Sequence, residues 1–244
     1  MGRIVAFHLP ARDLERAAAF YAKVFGWELT RNDDSPTPYA TDPAGTGRAV
    51  AGALVARTET VRQPVPVLAV DDVDAALAKL ERLGGQVEPG VSATFRYAQD
   101  SEGNVLGLTQ RDGVRLGPSE TGVGRFLNLH LPVDDVIRAT IFYSELLGWE
   151  LRATPGDVPY IMTSLAQLDG PGLELAIVQR EAIVKAPTPT IEVEWIDDAM
   201  TTLAMNEGQA AVVNDIADVG RFGYAKDSEG NTIAMLQRSF LLRS

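Results

Sequence analysis

Hydrophobic positions along this chain keep returning to one order: an alternating apolar stretch, an Asp, a helically spaced apolar stretch, then Gly. Arg3–Leu9 alternates as a strand does, Asp13 suits an N-cap, Leu14–Phe25 carries helical spacing, and Gly26 suits the position just past the helix. Pro64–Val70 reads as the next strand. Asp72 caps a helix whose face is Val73, Ala76, Leu77, Leu80 and Leu83, ending at Gly84-Gly85. The order then recurs in Phe126–Leu131 with Asp135–Leu147, and in Thr190–Ile196 with a helix over Asp198–Glu207. Between the helices lie short alternating stretches with turn signals: Val50–Arg57, Phe95–Gln99, Val105–Gln110, Leu173–Gln179 and Thr232–Gln237. The predicted unit is β-α-β-β-β, present four times.

The units pair into two long repeats. Phe7-His8-Leu9-Pro10, Phe20-Tyr21 and Gly26-Trp27-Glu28-Leu29 return as Leu129-His130-Leu131-Pro132, Phe142-Tyr143 and Gly148-Trp149-Glu150-Leu151 at a constant offset of 122. Asp100-Ser101-Glu102-Gly103-Asn104 returns as Asp227-Ser228-Glu229-Gly230-Asn231 at an offset of 127. A repeat of this length is a duplicated domain, since solenoid units run roughly 20–50 residues. The pattern predicts one domain over 1–110, a Gly-rich polar linker over 111–124 and a second domain over 125–244. The Asp-Ser-Glu-Gly-Asn segments read as hairpin turns, and the Phe-Tyr and Gly-Trp pairs as packing. Strict alternation puts Val5, Phe7 and Leu9 on the helix side of the first strand, with Ile4, Ala6 and His8 opposite. In the second copy, Leu127, Leu129 and Leu131 face the helices, with Phe126, Asn128 and His130 opposite. That second face is mixed and polar, as the lining of a cavity would be.

Composition narrows the function classes. The 244 residues hold no cysteine, which removes thiolate nucleophiles and thiolate metal ligands together. Net charge is −11 and no Lys/Arg cluster appears, so neither a nucleic-acid partner nor an anionic membrane is expected. With no basic–apolar leader at Met1 and no apolar run of membrane length, a cytoplasmic protein is expected, either monomer or homodimer. No Gly-rich phosphate loop and no nucleophile elbow is present.

The order His-Leu-Pro-x-x-Asp, Phe-Tyr, Gly-Trp-x-Leu and Asp-Ser-Glu-Gly-Asn, occurring twice, resembles the vicinal oxygen chelate superfamily. That group includes glyoxalase I, extradiol dioxygenases, and bleomycin- and fosfomycin-resistance proteins. The resemblance implies an α+β fold of two glyoxalase-like domains, each a cupped, mostly antiparallel sheet with helices outside. It also implies metal-ligand positions, here occupied by Ala6 and Asn128 on the opening strands and by Val65 and Ile191, counted back from Asp72 and Asp198. Gly107 and Ala234 hold the closing-strand positions. Only Glu174 keeps a ligating side chain, with Ala51 or Gly52 as its counterpart. One carboxylate and an amide make a poor divalent site, so no metal and no cofactor is expected, with a recruited divalent metal as the alternative.

The expected partner is a small-molecule ligand held in the second domain, where the copies differ in polar residues. His130 and Glu174 are the catalytic candidates, Glu174 orienting the His130 ring. Asn128, Trp195, Glu192, Glu194, Arg221 and His8 are the ligand-binding candidates. His8 and His130 read equally as strand histidines bonded to nearby backbone. Counted from Asp198, Glu192 and Glu194 face away from the cavity, and a one-residue shift would turn both inward and make Trp195 a cavity wall. Arg221 reads as an anion contact or a surface ion pair. The leading reading is a metal-independent binding protein of the sequestration or resistance type. A glyoxalase-like lyase, isomerase or epimerase using His130 and Glu174, with or without a divalent metal, is the alternative, and a scaffold whose cavities are filled by side chains is the third.

Overall fold

In a computed structural model of the chain, described over residues 2–31, 39–40, 50–90, 92–110, 123–153, 161–163 and 173–239, the two repeats build one sheet each. The first comprises β1 (Arg3–Ala11), α1 (Leu14–Phe25), β2 (Thr30–Arg31), β3 (Tyr39–Ala40) and β4 (Ala51–Ala56). It continues through β5 (Val65–Val70), α2 (Val73–Arg82), β6 (Gln86–Val87), β7 (Phe95–Gln99) and β8 (Val105–Gln110). The second comprises β9 (Phe126–Val133), α3 (Val136–Leu147), β10 (Leu151–Ala153), β11 (Ile161–Thr163) and β12 (Glu174–Gln179). It closes with β13 (Thr188–Glu192), α4 (Ile196–Met205), β14 (Gln209–Ile216), β15 (Gly220–Lys226) and β16 (Thr232–Arg238). The strand orders are the same, β2-β3-β4-β1-β5-β8-β7-β6 and β10-β11-β12-β9-β13-β16-β15-β14. Two neighbours per sheet are parallel, β1 with β4 and β5 with β8, then β9 with β12 and β13 with β16. The fold is α+β, two glyoxalase-like domains of two β-α-β-β-β units each. Most of the segment read as a linker lies outside the described residues. Among those described, no helix is long and apolar enough to cross a membrane.

Caps explain where the helices start. Asp13, Asp72 and Asp135 each accept a hydrogen bond from the backbone N–H three residues on, and Gly26 and Gly148 end their helices in the left-handed region. The fourth helix departs from expectation: it begins at Ile196, with Trp195 in the cap position and no side-chain cap. The Ile196 N–H is met instead by Gln237 Oε1 at 3.0 Å. Counting from Asp198 therefore slipped by three residues, and the counterpart of Val65 is Thr188, not Ile191: His8 pairs with Val65 and His130 with Thr188. Replacing Trp195 with Asp should restore the missing cap and raise stability by about 1 kcal/mol, read by chemical unfolding.

The alternation read for the opening strands is also corrected. A bulge at Val5, and again at Leu127, shifts the register against β5 and β13. An inserted residue flips the side chains before it. Ile4 and Phe126 thus join the helix-side core with Phe7, Leu9, Leu129 and Leu131, while Val5 packs with Val67 and Ala69 on the opposite face.

One core runs through both repeats. The four helices and the helix-side faces of both sheets contribute to it, with Phe7 and Phe126 ring to ring at 4.6 Å. The Asp-Ser-Glu-Gly-Asn segments are turns, as expected, but each also docks into the other repeat. Asp227 Oδ1 accepts from the Glu229 and Asn231 N–H groups at 2.9 and 2.8 Å, and Oδ2 accepts from Asn231 Nδ2 at 2.7 Å and Tyr21 Oη at 2.8 Å. Asp100 does the same with Glu102, Asn104 and Tyr143 of the second repeat. Glu229 takes the Arg12 N–H and the Arg16 guanidinium, as Glu102 takes the Asp134 and Asp135 N–H groups and Arg138. Asn231 and Asn104 donate to the carbonyls of Pro10 and Pro132. The contact is reciprocal, residue i to j and j to i, as in a two-fold dimer. Tyr21 and Tyr143 are therefore more than core filling: each stacks on its Trp and hands its hydroxyl across the interface.

Candidate functional site

The face of each sheet turned away from the helices carries a cross-strand row holding the opening-strand, fourth-strand and closing-strand positions singled out by the resemblance. Val65 and Thr188 lie one step along, opposite His8 and His130. In the first repeat the row is Ala51–Ala6–Val67–Gly107, with Tyr97 beside Gly107. In the second it is Glu174–Asn128–Thr190–Ala234, with Tyr224 beside Ala234. The register settles Ala51 over Gly52 as the counterpart of Glu174. It also places Thr190 directly opposite Asn128, two residues past Thr188, the position that counting from the true cap reaches. Only the backbone position of Glu174 is described; its side chain lies outside the described part of the structure.

The two rows differ in the polar atoms they bury without a partner. In the first, small apolar residues line the face and the Phe95 ring closes over Gly107, where a Cβ would meet it at 3.1 Å. In the second, Thr190 has no solvent exposure, and its Oγ1 has no hydrogen-bond partner among the described residues. Asn128 Oδ1 is buried and equally without a partner. Nearly all buried polar atoms in folded proteins are satisfied, so two neighbouring orphans set this row apart from that of the first repeat.

His8 and His130 sit one step along the same faces. Their Nδ1 atoms lie 2.7 Å from Tyr97 Oη and 2.9 Å from Tyr224 Oη, with Phe95 and Phe222 tilted against the rings. Burial lowers both imidazoles to about 4, and burial pushes the Tyr97 hydroxyl up to about 12. Near neutral pH both rings are uncharged, each with a tyrosine hydroxyl at Nδ1. The expected backbone partner is thus a tyrosine side chain. On β12 the residue opposite His130 is Ala176, and Tyr224 takes Nδ1; the reading that Glu174 orients the ring falls on a side chain outside the described residues. Nothing local in the sequence joins His130 to a residue 94 positions away; the retention of both partners in both copies was the available signal.

The remaining candidates divide. Ile191 and Val193 point into the core, so Glu192 alternates to the cup side, opposite to the direction counted from Asp198. Glu192 is buried there with Arg238 Nε 3.5 Å from its carboxylate. Glu194 and Trp195 are exposed, and Trp195, at 48% exposure on the helix cap, is no cavity wall. Arg221 alternates with Phe222 to the helix side, where it pairs with Asp197 and Asp215. It is the surface ion pair of the two readings. His8 belongs to the apolar first cup. Asn128, Thr190, His130, Glu192 and Tyr224 share the second, with Glu174 at the row's end by register.

Could a divalent metal sit there? Among the described residues no three of His, Asp and Glu come together. The row offers an amide oxygen, a hydroxyl, one carboxylate by register, and a methyl group at Ala234. Catalytic zinc, iron and manganese sites use three or more His, Asp or Glu ligands, and this donor set does not fit them.

Paired β-α-β-β-β units forming two like sheets, with the helices on one face of each, define the class of this protein. Residues 3–115 match the Glyoxalase/Bleomycin resistance protein/Dioxygenase superfamily, and residues 125–164 match the Bleomycin resistance protein-like N-terminal family. The chain belongs to that superfamily. It is 26% identical to the protein named "Putative glyoxylase CFP32" of Mycobacterium bovis, across 94% of this chain and 92% of that one. Among solved structures it resembles the Mn(II)-bound glyoxalase from Novosphingobium aromaticivorans, with TM-score 0.64, 17% identity, 98% of this chain and 84% of that chain. It also resembles the 2,3-dioxygenase LapB from Pseudomonas sp. KL28, with TM-score 0.62, 16% identity, 96% of this chain and 91% of that chain. At such identities the likeness speaks for the fold alone.

Proposed function

We propose that the second cup binds a small organic molecule without a catalytic divalent metal, as a sequestering or resistance-type binding protein would. The observation that carries this is the orphaned pair, Asn128 Oδ1 and Thr190 Oγ1, buried side by side in the row where the first repeat has Ala6 and Val67. A cavity needs a few convergent polar groups to fix a ligand's orientation. An amide acceptor beside a hydroxyl favours a neutral or cationic molecule carrying N–H or O–H donors. The first cup, apolar and closed by Phe95, matches the filled-scaffold reading. The enzyme reading with His130 as general base has less support, because a base is most effective with a pKa near the working pH and His130 lies at about 4.

Replacing Thr190 with Val keeps the shape and removes the orphaned hydroxyl. The unliganded protein should gain about 1 kcal/mol in stability, since a buried unsatisfied polar group costs about 1–3 kcal/mol. Native mass spectrometry of freshly purified protein tests the binding half. A small-molecule adduct on the wild type that disappears in Thr190→Val and Asn128→Leu is expected. An adduct that survives both substitutions places the ligand elsewhere.

A further inference from the structure

Beyond the cup, a groove of about 410 Å³ runs past Tyr224 toward the sheet edge, bounded by the 182–186 loop, β14 and the ends of β15 and β16. None of Asn128, Thr190 or Glu192 lines it. Its walls are mostly apolar: Ile183, Ala186, Ala210, Ala211 and the Tyr224 ring. The polar elements are two cations, Lys185 and Lys226, with Gln63, Gln209 and Thr232 beside them. The whole chain has four lysines, at 23, 79, 185 and 226, and carries a net charge of −11. Half of its lysines thus line one groove of an acidic protein. Neither forms an ion pair among the described residues. The equivalent groups of the first repeat are occupied. Arg62, the counterpart of Lys185, is paired with Glu59, and Gln99, the counterpart of Lys226, donates to Glu88 Oε1. Duplication has left one copy neutralised and the other with unpaired positive charge against an apolar wall.

We propose that this groove is a binding site for an amphipathic organic anion, a carboxylate carried on a short apolar body. The carboxylate meets Lys185 and Lys226, and the apolar body lies along Ile183 and the alanines of β14. Acidic surroundings repel free anions at long range. Affinity therefore depends on combining the two ammonium contacts with apolar burial, and a bare anion lacks the second half.

Calorimetry on the full-length protein with octanoate, 1-octanol and inorganic phosphate as probes tests this. Octanoate should bind more tightly than either of the others, and added salt should weaken it. In Lys185→Gln/Lys226→Gln its affinity should fall about five- to tenfold, the scale expected for two solvent-exposed charge contacts. In Ile183→Glu binding should be lost. The control Lys23→Gln/Lys79→Gln removes the same charge elsewhere and should leave octanoate affinity within about twofold. All four lysines are at the surface of the fold or its helices, so the variants test charge rather than folding. Octanol binding as well as octanoate, phosphate binding as well as octanoate, an equal loss in the control variant, or no octanoate binding at millimolar concentration would each overturn the proposal.

Discussion

Replacing Asp227 with Ala should destabilise the entire chain by about 3–5 kcal/mol, far more than an ordinary turn residue would. Its carboxylate accepts four hydrogen bonds, two from backbone N–H groups of its own turn, one from Asn231 and one from Tyr21 of the first repeat. Removing it strands the Tyr21 hydroxyl, which is fully buried, and loosens the turn that presents Glu229 to Arg12 and Arg16. Asp100→Ala should cost a similar amount through Tyr143. Since each turn stabilises the other repeat, urea unfolding of the wild type should show one transition, and both variants should shift it as a unit. A loss below about 1 kcal/mol would make these segments local turns and nothing more.

Acid should destabilise the protein through its two histidines. Each has an unfolded value near 6.5 and a folded value lowered to about 4 by burial. Between those limits the unfolded chain binds more protons, so stability rises with pH there. The contribution is fully present above about 6.5 and is lost as pH falls toward about 4. The shift corresponds to at most about 3 kcal/mol for each histidine, and less for His130, which is partly exposed. The Asp100 and Asp227 carboxyls, pushed up mainly by burial, act in the opposite sense as they protonate. Comparison with His8→Gln/His130→Gln separates the two effects, because glutamine keeps a hydrogen-bonding group near Tyr97 and Tyr224 but does not titrate. The double variant should unfold with a flatter acid limb than the wild type. Superimposable pH profiles would mean that both rings already accept a proton in the folded state.

Much of the fold was legible because its signals are local. Three Asp caps, the C-terminal glycines and the alternation between them set the four β-α-β-β-β units, and duplication supplied the pairing. The misreadings arose where structure is set by distant contacts. A bulge is invisible to strict alternation, so Val5 and Leu127 were assigned to the wrong face. Trp195 in place of a cap Asp moved the start of the fourth helix and, with it, the counterpart of Val65, which is Thr188 opposite His130. The site was half legible: Asn128, Glu174 and Ala234 followed from their positions in the units. Thr190 and Tyr224 emerge only once β13, β15 and β16 are laid beside β9. The role of the Asp-Ser-Glu-Gly-Asn turns was hidden for the same reason, since Tyr21 and Asp227 are 206 residues apart.

Metal content is the most direct check on a second cup that works without a catalytic ion. Elemental analysis of protein purified from metal-replete cells and dialysed without chelator should find zinc, nickel, manganese and iron each well below one per chain. Adding any of the four should leave the unfolding temperature unchanged, because Glu174, Asn128, Thr190 and Ala234 do not supply three strong ligands. About one equivalent of a single metal per chain, lost in Glu174→Gln together with the thermal shift it produces, would contradict that reading.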